Sequence, residues 1–163
     1  MKKYIIFIIF LALSLFLQST DFYDDFSIRS VSPDFLLIFI ALAGFITGPL
    51  PGVITGFLTG IIADIFSGGL LGLSAFAYTV AGYLSGLAGA KIYGRNIIVA
   101  VLLLFVMTVV KALLLSMFAA LFLEPGYFGL FSQGRVFLQA VMNCVLTPLL
   151  YYIIMKIEDK ISE

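Results

Sequence analysis

The chain has 163 residues, 63% of them apolar and 11% charged, with a formal net charge of zero. Soluble domains carry about 25% charged residues, so this composition belongs to an integral membrane protein. The length leaves room for about five or six spans and almost no extramembrane chain, which excludes catalysis or nucleic-acid binding by a soluble module; the neutral balance implies no polyanionic partner.

Apolar runs predict helices near 4–18, 33–47, 51–66, 71–90, 97–123 and 134–156. The expected fold is an all-α polytopic membrane protein, one domain over 1–163 with six transmembrane helices. The first run follows Lys2-Lys3 and has the outline of a signal peptide. It continues into Leu17-Gln18-Ser19-Thr20, which offers no A-x-A-like cleavage site, so it is read as a retained span. Its bulky, branched residues suit a peripheral helix that faces lipid or another protein's helix.

The second and third runs are short and separated by Gly48-Pro49-Leu50-Pro51, where prolines remove backbone donors. A tight helical hairpin is expected there, with a kinked single span or a re-entrant loop as the alternative. Asp34 opens the second run. The third carries Gly52, Gly56, Gly60 and Asp64 at a strict four-residue spacing. In water each such glycine would cost about 1 kcal/mol relative to alanine. In a membrane the same stripe lets helix backbones approach closely. The fourth run has two small-residue faces, Gly82-Gly86-Ala90 and Ala81-Ser85-Gly89, after Ser67-Gly68-Gly69 and Gly72. Small residues on two sides predict a central helix packed against the glycine stripe.

Lys111 lies in the outer half of the fifth run, where an aspartate is its expected partner. Asp64 is expected to be structural, accepting hydrogen bonds from the Ser67-Gly68-Gly69 turn or pairing with Lys111. In the sixth run Arg135, Gln139, Asn143 and Thr147 recur every four residues on one helix face. They serve either as glue between helices or, with Lys111 and Asp64, as the lining of an outward-facing cavity; glue is the preferred reading. The seventeen phenylalanines and eight tyrosines are read as lipid-facing and core volume rather than a binding box. Cys144 is the single cysteine and there is no histidine, so the common zinc constellations are absent and no metal or cofactor is expected.

With six spans, Lys2, Lys3, Lys91, Arg95, Lys156 and Lys160 fall on one side, while Asp21, Asp24, Asp25 and Glu124 fall on the other with Arg29 and Arg135. Cytoplasmic loops carry the excess of basic residues, so both termini are expected in the cytoplasm.

Ser32-Pro33-Asp34-Phe35-Leu36-Leu37, Gly48-Pro49 leading into Gly52-x3-Gly56-x3-Gly60-x3-Asp64, and then Ser67-Gly68-Gly69-x2-Gly72-x3-Ala75-x2-Tyr78 together resemble the MreD family of bacterial rod shape-determining membrane proteins. The resemblance implies a non-enzymatic subunit of the elongasome in the bacterial cytoplasmic membrane. It implies binding to the bitopic protein MreC, and through it a connection to MreB, RodA and a class B penicillin-binding protein. It also implies an architecture like the six-helix substrate-binding subunits of energy-coupling factor transporters. A vitamin-binding subunit of such a transporter is the alternative function, disfavoured by short outer loops without a dense set of polar and aromatic groups. An intramembrane enzyme lacks an evident nucleophile and base. A monomer and a homodimer both remain open. The bulky first run and the hairpin around Gly44, Gly48 and Gly52 are the surfaces expected to hold a partner's helix.

Overall fold

The computed structural model describes residues 31–68, 71–91, 96–122 and 134–162; side chains of 119, 122 and 157–162 are not described. The first predicted run, 4–18, and Gly69 lie outside these residues. Five helices follow one another: α1 Phe35–Thr47, α2 Pro49–Ser67, α3 Leu73–Lys91, α4 Ile97–Phe122 and α5 Arg135–Ser162. Among the described residues, Pro49–Ser67, Ile97–Phe118 and Arg135–Lys156 are long and apolar enough to cross a membrane.

The break between α1 and α2 is a single residue, Gly48, at φ 104° and ψ 178°. The break expected over Gly48-Pro49-Leu50-Pro51 therefore falls within that segment but is narrower, since α2 starts at Pro49. The reason is positional: backbone N–H groups of a first helical turn have no intrahelical acceptor, so proline loses nothing there and its fixed φ favours the start. The chain nevertheless reverses at Gly48. Along α3, Phe45 lies by Gly89, Gly44 by Gly86 and Ile40 by Gly82, so α1 runs parallel to it. Pro49 lies by Gly86, Gly52 by Gly82, Gly56 by Tyr78 and Gly60 by Ala75, so α2 runs antiparallel. The two helices therefore form a hairpin clasped against α3.

The centre belongs to α1 rather than to α3. Leu36 through Phe45 are all buried, and α1 packs on α2, α3, α4 and α5. At 13 residues it is about 20 Å long, short of a hydrocarbon core of about 30 Å. Its sequence is apolar on every side because every side meets protein. The small faces of α3 do meet two close neighbours, α1 and α2, but Phe76 and Tyr83 on its outer side are exposed.

On α4, Leu102, Val106, Leu113, Met117 and Leu121 are exposed; on α5, Phe137, Val141, Val145, Leu149 and Tyr152 recur at close to four-residue intervals on the exposed side. Outward apolar stripes of this kind fit a hydrocarbon solvent. Hydroxyls inside the spans turn back on their own helices: Thr55 donates to Pro51 O at 2.8 Å, Thr59 to Thr55 O at 2.6 Å and Thr79 to Ala75 O at 2.6 Å. Such bonds satisfy a polar group where no water is present.

Candidate functional site

The glycine stripe of α2 is an interface inside the protein. A Cβ added to Gly60 would fall 2.6 Å from the Ala75 nitrogen, and one added to Gly52 or Gly56 would overlap the backbone of Gly82 or of Tyr78 and Thr79. Even alanine is too large there. Gly44 is likewise closed by Gly82 and Gly86. Gly44 and Gly52 are thus occupied by α3 and cannot receive a partner's helix, which corrects the expectation of docking at these two positions, whereas a Cβ added to Gly48 at the tip of the hairpin would meet no neighbour.

Asp64, in the last turn of α2, is buried and reaches the start of α3. Its carboxylate accepts from Gly72 N at 2.8 Å, Ser74 N at 3.0 Å and Ala75 N at 3.2 Å. Those amides are among the first-turn donors of α3 that lack intrahelical partners, and an anion there also complements the helix dipole. The donors are one turn beyond those expected: from the Ser67-Gly68-Gly69 turn, Ser67 Oγ donates to the backbone carbonyl of Asp64 at 3.2 Å, not to its carboxylate. Gly68 ends α2 in the left-handed conformation, φ 63°.

Asp34 sits at the opening of α1 and gathers groups from four helices. Its Oδ1 caps α1 by accepting from Leu37 N at 2.9 Å. The Lys111 ammonium forms a tight ion pair with Oδ2 and donates to the Tyr78 hydroxyl at 3.0 Å. Tyr78 in turn donates to Asp34 at 3.2 Å, and the ammonium lies 4.6 Å from the centre of its ring. The Asp34 N–H donates to Asn143 Oδ1 at 2.8 Å, and Asn143 Nδ2 donates to Thr108 Oγ1 at 3.0 Å. One turn earlier on α5, Gln139 Nε2 donates to Ser32 O at 3.2 Å. Lys111 therefore pairs with Asp34, not with Asp64. Both acids lie toward the amino-terminal end of α3, one through Tyr78 and the other at the first turn, and only the folded arrangement selects between them.

The polar stripe of α5 divides along its length. Arg135 is exposed at the first residue of the helix, whereas Asn143 and Thr147 are buried, with Thr147 Oγ1 donating to Asn143 O at 2.6 Å. Gln139 and Asn143 are engaged with Ser32, Asp34 and Thr108 rather than with a cavity. Sequence reasoning missed Thr108 and treated Tyr78 only as part of a family pattern. Thr108 carried a readable signal, since it stands three residues before Lys111 and so near it on the surface of α4.

An open groove of about 600 Å³ lies between α2 and α3, lined by Phe57, Ile61, Leu71, Gly72, Ala75, Phe76 and Thr79. The Thr79 hydroxyl is spent on Ala75 O. Specific small-molecule sites combine apolar walls with a few convergent polar groups, and this lining supplies none. Among the described residues, no group of three His, Cys, Asp or Glu side chains could hold a metal ion.

Against this geometry, a family model described as rod shape-determining protein MreD matches residues 1–157. The chain belongs to the MreD family. Neither a comparison with curated proteins nor one with solved structures gives a match.

Proposed function

We propose that this member of the MreD family is a non-enzymatic membrane scaffold of the elongasome, which binds MreC and thereby supports rod shape and lateral peptidoglycan synthesis. In this reading the chain crosses the bacterial cytoplasmic membrane six times with both termini in the cytoplasm, in the manner of energy-coupling factor substrate-binding subunits. MreB, RodA and a class B penicillin-binding protein are reached through MreC. The observation that carries the proposal is the family match over 1–157, which brings with it a role in rod shape determination.

The geometry favours a scaffold over the transporter alternative. Asp34, Asp64, Lys111 and Asn143 are all turned to other parts of the protein, and the groove between α2 and α3 lacks convergent polar groups. Stable protein interfaces bury about 1,200–2,000 Å². With so little extramembrane chain, that area must come largely from helix faces in the bilayer, where packing and a few polar pairs supply the affinity. The exposed apolar sides of α2, α4 and α5 are surfaces available for it, and the bulky apolar sequence of the first run, 4–18, makes that run a further candidate.

Affinity purification of the intact membrane complex, followed by mass spectrometry, tests the reading. Recovery of a bitopic coiled-coil protein is the expected result. Recovery of paired ATPases with a transmembrane coupling protein would replace the scaffold by a transporter subunit.

A further inference from the structure

We propose that the buried cluster of Asp34, Tyr78, Lys111 and Asn143 is a latch that closes one end of the seam between a rigid α1–α3 unit and a movable α4–α5 pair. The inference stands apart from the shape-determining reading and rests on how differently the two joints are made.

Within α1–α3 the helices meet backbone against backbone at Gly44, Gly52, Gly56, Gly60, Gly82 and Gly86, and Asp64 to the first-turn amides of α3 and Tyr78 to Asp34 tie the same unit at its ends. The backbone joint has one geometry, because no side chain can turn to accommodate another. Between that unit and α4–α5 the polar contacts are made by side chains: Lys111 to Asp34 and Tyr78, Asn143 to the Asp34 amide, and Gln139 to Ser32 O. All lie toward the amino-terminal end of α1. Farther along, the seam is mostly apolar, with Ala100, Leu104, Met107 and Ile154 joining the core around α1. The α4–α5 pair also has contacts of its own, from Asn143 to Thr108, from Cys144 Sγ to Val101 O at 3.6 Å, and between the Phe105 and Phe137 rings at 6.2 Å.

In a bilayer, apolar helix faces gain little by leaving lipid for each other, whereas polar pairs have few other partners. The apolar part of the seam is therefore indifferent to small rotations, and the polar end decides whether it is shut. Opening swings α4 and α5 together and leaves α1–α3 unchanged, which gives the protein two arrangements without unfolding.

Electron paramagnetic resonance distances in the full chain test this. In a Cys144→Ser background, nitroxides are placed through cysteine at the exposed positions Ile54 and Leu113, one on each unit. Control samples carry them at Ile54 and Tyr83, within the first unit, and at Leu102 and Val145, within the pair. Each is compared in the native sequence, in Lys111→Met, and in Asp34→Asn with Lys111→Met, which removes both charges and keeps the fold testable where the single change aggregates. Loss of two interhelical contacts, each about a factor of three, should raise the ratio of a longer to the native Ile54–Leu113 distance by about tenfold. The control distances should not change. An unaltered Ile54–Leu113 distribution in the folded double variant overturns the latch. So does parallel broadening of the controls, or failure of both variants to fold, since either makes the cluster a requirement of the whole bundle.

Discussion

The two halves of the molecule solve the same problem, holding helices together without a hydrophobic driving force between them, by opposite means. In α1–α3 side chains are removed: Gly52, Gly56 and Gly60 admit the backbone of α3, and the resulting contact is close and extensive. Between that unit and α4–α5 side chains are added: the Lys111 ammonium reaches the Asp34 carboxylate and the Tyr78 phenol, and the Asn143 and Gln139 amides reach the backbone of Asp34 and Ser32. The first means depends on shape and the second on mutual satisfaction of polar groups. They should respond differently to substitution, and that difference can be measured.

The largest effect is expected from Lys111→Met alone. It removes the ammonium that pairs with the buried Asp34 carboxylate, and breaking a buried ion pair from one side costs about 3–5 kcal/mol. Thermal unfolding in detergent should show it, and adding Asp34→Asn should restore much of the loss. If the double change is as damaging as the single one, the joint is not held by charge. Next comes the backbone joint. Gly56→Leu drives a side chain into Tyr78 and Thr79 and should destabilise by about 1–3 kcal/mol or more. Unchanged stability would mean that the stripe faces lipid, and the contrast between the two joints would collapse.

Both joints were partly legible in the sequence, for reasons that follow from their chemistry. A glycine every fourth residue is visible without any tertiary information, because helical periodicity alone puts Gly52, Gly56 and Gly60 on one face. Lys111, Asp34, Gln139 and Asn143 stood out because polar groups in apolar runs are expensive. Which of them touch was not legible. Asp34 opens the second run and Asp64 lies near the end of the third, so an up-and-down topology puts both at the same end, and choosing between them for Lys111 requires the side-by-side placement of α1, α3 and α4. Tyr78 was hidden among seven other tyrosines whose bulk alone suits a membrane. The burial of Gly44 was masked in another way: the same small residue suits contact with a foreign helix or with the protein's own. Pro49 and Pro51 marked the break but set the expected start of α2 two residues late, because proline stops a helix that is under way but favours one that is beginning.

A smaller effect is expected from Asp64→Ala, which strips the first-turn amides of α3 of their acceptor. Helix caps contribute about 0.5–2 kcal/mol, so less folded protein should accumulate in the membrane, with Asp64→Asn in between. Normal abundance with loss of function alone would point instead to a ligand or proton role for this carboxylate. The smallest is Asn143→Leu, because single hydrogen bonds between membrane helices average about 0.6 kcal/mol. A loss as large as that of Lys111→Met would show that the amide, not the ion pair, organises the seam.

The role in cell shape is tested most directly by depleting the protein in its own bacterium and following cell outline by microscopy while a wild-type copy is withheld or supplied. Rods that widen into rounded cells on depletion, and recover when the copy returns, are the expected result. Cells that remain rods but cease to accumulate a vitamin would contradict the scaffold and establish the transporter in its place.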